Sequence, residues 1–433
     1  MDQGNREQNN RRRQRSQTQA QMKWLKIGLG VTLGVTLICC VVMLAAVNGW
    51  LFFAETPVQT EPVIQTQPQP ETEPAPTEPP VPDQVIHLIA GGDVNITDKT
   101  VAAGFSGTGY DYTKVFMDVL PTLAGGDLSL LNFEGCLYDA PYGKASAPQE
   151  LVQALSKVGV DLLQTANSRC ISRGTIGLRS TLSGIRSAGL IPVGTFASRE
   201  EFNESKGYTL MEVAGIRIAF VAFTKGMDDL VAIPEGDEYC VNLLYEDYYA
   251  TKQNTTFQKI NTSGIKSVLK SVRAAKPDIT VALVHWGGED NDNISKTQKQ
   301  ICSLMLEEGV DAILGTHSHR VQQMVFDEEA GTFVAYSLGD FLGDGTGTDL
   351  SAYSVLLDLQ ITKSAKTGQV KITGFDYVPI YQYREGDTHR VLRIEDAVAA
   401  YECSAIGKVS EEAYLAMKAA LTDIDKRISA KVP

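Results

Sequence analysis

The side chains best suited to metal chemistry are few in this chain and lie far apart along it. Only five histidines occur in 433 residues, and two stand two apart in "ILGTHSHRVQQ", residues 313–323, as His317 and His319. A third, His285, closes the apolar run of "VALVHWGGE". In an extended segment residues i and i+2 project to the same side, so both imidazoles of the pair can reach one centre. Three oxygen donors occupy comparable places: Asp93 after "HLIAGG", Glu134 in "LLNFEG" and Asn167 in "LQTANS". Nitrogen and oxygen donors without a thiolate suit Mn, Fe, Zn or Mg, and do not distinguish among the four. Two divalent ions in such a site would polarise a phosphoryl or carbonyl oxygen and lower the pKa of a bound water.

Each residue alone has a plainer reading. An aspartate after a strand is commonly a helix cap or turn residue, and His285 beside Trp286 could be a packed core histidine. Their recurrence at successive strand ends favours a shared site. His87, inside the first strand, and His389, in a charged loop, read as structural or surface residues.

The elements that must position these residues alternate. "QVIHLIAGGD" reads as a strand ending in a glycine turn, "TKVFMDVLPTLAGG" as a helix and "DLSLLNFEG" as a strand. Helix then strand recurs in "PQELVQALSKVGVDLLQTAN", "GLRSTLSGIRSAGLIPVGT", "GIKSVLKSVRAAKPDITVALVHWG" and "TQKQICSLMLEEGVDAILGTHSH". "YTLMEVAGIRIAFVAFT" reads as a hairpin turning at Ala214-Gly215. The pattern predicts an α/β fold, with a late β-only section forming a second, more antiparallel sheet and a peripheral helical tail after residue 390. In open α/β sheets the ligand site lies outside the carboxyl ends of the strands, which is where the six donors fall.

The first eighty residues differ in kind. Seven basic and two acidic side chains in residues 1–26 precede 28 uncharged residues, 27–54. About 20 apolar residues span a bilayer, and the basic flank keeps the N-terminus cytoplasmic. A cleaved signal peptide would have a shorter apolar core, and Ile38 before Cys39 does not suit a lipoprotein site, so a signal anchor is expected. Residues 55–83 carry nine of the 17 prolines and read as an extended, disordered stalk. The expected organisation is a cytoplasmic basic tail (1–26), a transmembrane anchor (27–54), a linker (55–83), the main domain (84–390) and a helical extension (391–433).

The whole chain carries −13, and removing the +5 of the tail leaves −18 outside. That sign argues against nucleic acid as a partner. Five cysteines, at 136, 170, 240, 302 and 403, are widely spaced and odd in number, which predicts buried thiols rather than a disulfide framework.

From about residue 85 to 345 the ordered set "AGGDVNI", "LLNFEG", "LQTANS", "VALVHWGGE", "DAILGTHSHRVQ" and "FVAYSLGDF" resembles the poly-γ-glutamate capsule-biosynthesis (CapA-type) family, related to the calcineurin-like metallophosphoesterases. The resemblance implies a two-sheet β-sandwich flanked by helices, with a two-metal site at the strand ends. It also implies a role in making, exporting or anchoring an anionic surface polymer. Asp93, Glu134, Asn167, His285, His317 and His319 match the family's polar positions, and Glu289 matches in "HWGGE". Departures accompany these matches. Where the family continues Asn-Asn-His, this chain reads "ANSRCISRG", which puts Ser168, Arg169 and Ser172 at signature places. Asn95 stands where the wider phosphoesterases have histidine, and Asp340 where the family shows asparagine. Arg169 can steady an anion but cannot donate a proton near neutral pH, so catalysis is expected to be slow or lost if it depended on that imidazole.

Two functions follow as expectations. One is a membrane-anchored, extracytoplasmic, metal-dependent hydrolase with Arg169, Asn95 and Glu289 beside the metal ligands. The other is a non-catalytic scaffold that binds the polymer or its export machinery in the same cleft.

Overall fold

The computed structural model describes residues 82–228, 231–249, 257–386 and 388–429. The expected tail, the apolar span 27–54 and nearly all of the linker lie outside them. Among the described residues no helix is long and apolar enough to cross a membrane.

Strands β1 (Gln84–Asn95) and β2 (Leu128–Glu134) begin a first sheet, a ribbon of β3 (Cys136–Leu137) and β4 (Ser146–Ala147) follows, and β5 (Leu162–Gln164) and β6 (Ile191–Val193) extend the sheet. A second sheet is built from β7 (Tyr208–Val213), β8 (Ile216–Thr224), β9 (Ile279–His285), β10 (Ala312–Thr316), β11 (Met324–Asp327) and β12 (Thr332–Ala335). The chain then returns to the first sheet with β13 (Asp340–Leu342), β14 (Tyr353–Lys363), β15 (Val370–Glu385) and β16 (Thr388–Arg393). The spatial orders are β16-β15-β14-β1-β2-β5-β6, with β13 also on β1, and β11-β12-β10-β9-β8-β7. Strands β1, β2, β5 and β6 run parallel to one another, as do β8, β9, β10 and β12.

Alternation along each strand divides its side chains between two layers. Leu88, Leu130, Phe220, Val281 and Leu314 point between the sheets into one core. Their neighbours Ile89 and Leu131 pack against the helices Thr113–Phe116, Leu120–Leu123 and Gln149–Lys157. On the far side Val221, Ala282 and Ile313 meet the helices Thr262–Ala275 and Lys296–Glu307. The result is a mixed α/β sandwich of two sheets with helices on both outer faces. Strands buried on both faces explain the near-continuous apolar runs, and each fully buried leucine or isoleucine contributes about 1.5–3 kcal/mol.

Four expectations change. The late β section is not a separate sheet: β14 pairs antiparallel with β1 from Gln84↔Lys363 to Ala90↔Leu357, because the apolar β1 offers a free edge. Gly91 and Gly92 remain within β1 instead of turning. A Cβ on Gly92 would lie 1.7 Å from the Gly339 carbonyl oxygen, so glycine here admits a neighbouring backbone. The helix expected over 113–124 is broken in two, since Pro121 has no N–H to donate to the Met117 carbonyl. The helix Glu411–Ile428 is not peripheral. Its Ala413, Met417, Ala420 and Ile424 join the inter-sheet core, and Arg427 ties it to Asp292 at 2.7 Å. Four cysteines are buried thiols, whereas Cys403 is exposed.

Candidate metal centre

The parallel strands of both sheets end at one edge, and the polar side chains meet there. Asp93 lies near the end of β1, and its N–H donates to the Gly339 carbonyl at 3.0 Å, next to β13. Glu134 ends β2, and Asn167 and Ser168 follow β5. From the second sheet, His285 ends β9, and His317 and His319 follow β10. Asp93, Glu134, Asn167, His285 and His317 are all 0% exposed, so every charge there must find its partner inside the protein.

The hydrogen bonds tie the two sheets together. Asp93 Oδ2 accepts the His317 backbone N–H at 3.0 Å, and its Oδ1 accepts from Asn132 Nδ2 at 2.5 Å. Asn132 shares a face of β2 with Glu134. His285 Nδ1 lies 3.0 Å from Thr316 Oγ1, and its Nε2 lies 3.4 Å from both Glu134 Oε1 and Ser168 Oγ. Ser168 also bonds Asp228. Asn167 engages both ends of its amide within the protein: Nδ2 donates to the Phe133 carbonyl at 2.7 Å, and Oδ1 accepts from the Arg169 N–H at 3.2 Å. His319 Nδ1 is held by Asp340 Oδ1 at 2.7 Å.

Electrostatics follow from this burial. The His317 imidazole is pushed well below its usual value, chiefly by burial and then by Lys225, so it is neutral with a lone pair to offer. Burial raises Asp93, and the nearby Glu134 adds to that. Burial also works against ionised Glu134, but His285, His319 and Arg169 together outweigh it and keep that carboxyl low. For His319 burial favours the neutral ring, but the carboxylates of Asp340, Glu134 and Asp93 together outweigh it and raise its pKa to about 11.

Two groups of donors are close enough to hold a cation: Glu134, His317 and His319, and Asp93, His319 and Asp340, each with ligand atoms within 4.8 Å of one another. Glu134 Oε2 and both ring nitrogens of His317 are buried without a hydrogen-bond partner. Such atoms cost about 1–3 kcal/mol each when left unmet, and a divalent cation would meet Glu134 Oε2 and one of the two His317 nitrogens. His317 and His319 also hold left-handed backbone, at φ 93° and 56°, a conformation that costs about 1–3 kcal/mol and clusters at functional sites.

The expected residues thus come together with one exception. Asn95 and Arg169 flank the cluster, with Arg169 Nη1 donating to Asn95 Oδ1 at 2.7 Å and Nε 3.7 Å from Glu134 Oε1. Glu289 stands exposed, outside the buried cluster, and lines a cavity of about 540 Å³ with Lys144, Arg169 and Asp228. Sequence reasoning missed Asn132 and Thr316, and treated Asp340 and Ser168 only as departures. The signal for Asn132 was available, since it lies two residues before Glu134 on one strand face.

The family model described as bacterial capsule synthesis protein PGA_cap matches residues 87–345, a stretch that contains the whole cluster. The chain belongs to that family. It is similar to the capsule biosynthesis protein CapA of Bacillus anthracis, 29% identical over 248 residues that cover 54% of each protein. It is also similar to the PGA biosynthesis protein CapA of Bacillus subtilis, 26% identical over 60% of this chain and 64% of the relative. The match therefore spans about half to two-thirds of these relatives' length. Among solved structures, a phosphatase from Mycoplasma pneumoniae matches with a TM-score of 0.41 at 14% identity, over 69% of this chain and 94% of that one. A calcineurin-like phosphoesterase from Bacillus subtilis matches at 0.40 and 14%, over 79% and 98%.

Proposed function

We propose that this chain is a membrane-anchored, extracytoplasmic protein of capsule biosynthesis, a metallophosphoesterase-like, metal-dependent hydrolase acting on an anionic surface polymer of the poly-γ-glutamate kind. The observation that carries the metal reading is His317, fully buried with both ring nitrogens unmet beside Glu134 and His319. The uncharged span 27–54 with its basic flank supports the anchor and the outward-facing domain. The CapA relatives support the polymer.

A bound divalent ion would supply Lewis acidity and a nucleophilic water near neutral pH. The chain's own residues supply the rest. Asp340 fixes the His319 ring so that Nε2 faces the cluster. Arg169, which lines the cavity, binds an anionic group of the polymer. Because a guanidinium holds its proton, Arg169 does not supply one to the leaving group.

Metal content and hydrolysis of a generic phosphodiester by the purified full-length chain test this reading. Bound metal and turnover, both lost in His317→Ala, support it. One observation favours the scaffold reading instead: the Arg169 guanidinium lies against Glu134, where it competes with a cation. A metal-free, inert chain that still binds polyglutamate establishes the scaffold.

A further inference from the structure

The two donor groups share His319, and that residue cannot serve both. With Nδ1 held by Asp340 Oδ1 at 2.7 Å, the ring presents only Nε2, and one lone pair binds one ion. In the Asp93 group, two of the three members, His319 and Asp340, are already bonded to each other. By contrast, the unmet atoms, Glu134 Oε2 and the two nitrogens of His317, all belong to the group of Glu134, His317 and His319.

Charge counting points the same way. Three carboxylates of the cluster are closed from solvent: Asp93 and Glu134 at 0% exposure and Asp340 at 2%. The Arg169 guanidinium already stands beside them, 3.7 Å from Glu134 Oε1 and anchored on Asn95 Oδ1 and the Ile96 carbonyl. One divalent ion and one guanidinium balance three carboxylates. Two divalent ions with the same guanidinium would leave an excess of two positive charges in a site shielded from water, where uncompensated charge is costly. Asn95 adds a steric reason. Its Nδ2 lies 3.5 Å from His319 Nδ1 while its oxygen holds Arg169, so the space between the two side chains is taken up by this contact.

We propose that the centre holds a single divalent cation, bound by Glu134, His317 and His319, and that the Arg169 guanidinium takes the place of a second. The inference rests on the metal reading given above, and it changes the chemistry. A single ion activates one oxygen, and the fixed cation neutralises an anionic substrate without being exchangeable or removable by chelators.

Native mass spectrometry of the full-length chain in detergent, after incubation with Mn2+ or Zn2+ and removal of excess, counts the ions directly. The expected count is one per chain, rising to two in the Asn95→His/Arg169→His double variant. If the double variant does not fold, Arg169→Met, which keeps much of the side-chain length and removes the charge, is counted instead. Two ions in the unaltered chain overturn the inference and leave the metal reading intact. No ion in the unaltered chain overturns both. One ion in the unaltered chain and still one in a folded variant shows that Arg169 does not exclude the second, and overturns the substitution.

Discussion

Asn95 and Arg169, 74 positions apart in sequence, hydrogen-bond each other at 2.7 Å through Oδ1 and Nη1. They are also two of the positions at which the chain departs from the motifs it resembles. The departures are therefore one local arrangement, because the Asn95 amide oxygen supplies an acceptor for the Arg169 guanidinium. A charge-assisted hydrogen bond of this type is worth about 1.5–3 kcal/mol when largely buried. With the arginine side chain 22% exposed, the lower end of that range is expected. A double-mutant cycle with Asn95→Ala and Arg169→Met, read by urea unfolding, should give a coupling of about 1–2 kcal/mol. Additivity within about 0.3 kcal/mol would show that the contact carries no energy of its own.

Asp340 holds His319 Nδ1, and that bond fixes which nitrogen faces the cluster. Asp340→Asn keeps the shape and an acceptor oxygen but removes the charge that favours the Nδ1 proton. Loss of such a supporting partner typically weakens metal binding about 10- to 100-fold. A titration with Zn2+ under competition from a chelator should show a weakening within that range. An unchanged affinity would mean that His319 does not depend on Asp340 for its orientation.

The site was legible in the sequence to the extent that its donors sit at strand ends, since glycine-flanked Asp93, Glu134 and His285 stop apolar runs abruptly. Asn132 was legible only through its place two residues before Glu134 on one strand face, because a polar residue inside a strand otherwise looks the same whether it faces solvent or a buried carboxylate. Asp340 was legible only as a deviation. Its value lies in a hydrogen bond to His319, a contact between the start of β13 and the loop after β10 that no local pattern encodes. Likewise, β14 looked like the start of another sheet because its own alternation cannot reveal that the free edge is the one offered by β1, more than 260 positions earlier.

Gly92 sits where two backbones meet, and the position makes a severe demand. An added Cβ would overlap the Gly339 carbonyl oxygen at 1.7 Å, and its three nearest neighbours are all Gly339 backbone atoms, with no flexible side chain to give way. Gly92→Ala should cost about 3 kcal/mol or more, the upper range for overpacking, and should also separate Asp93 from Asp340. Gly109→Ala, where nothing lies within 4 Å, is the control and should change stability by less than about 1 kcal/mol. Equal midpoints for the two variants in guanidinium unfolding would refute the close-approach argument.

The last helix gives the fold a pH dependence of predictable sign. Arg427 bonds Asp292 at 2.7 Å and also bonds Asp423, which in turn accepts from the Tyr353 hydroxyl. Burial works to raise both carboxyls, but Arg427 and Arg320 together outweigh it for Asp292, and Tyr353, Arg427 and Lys426 together do for Asp423, so both are held below the ordinary value of 3.8. A depressed carboxyl stabilises the folded state in full above its unfolded pKa and loses that contribution as pH falls through the folded one. Arg427→Met should therefore lower the thermal midpoint at pH 7, and the gap between variant and parent should narrow once the pH drops below about 4, the unfolded aspartate range. Melting curves of both chains from pH 7 to pH 2.5 decide the matter. A gap that stays constant across that range would place the contribution of Arg427 in the packing of its methylenes rather than in its charge.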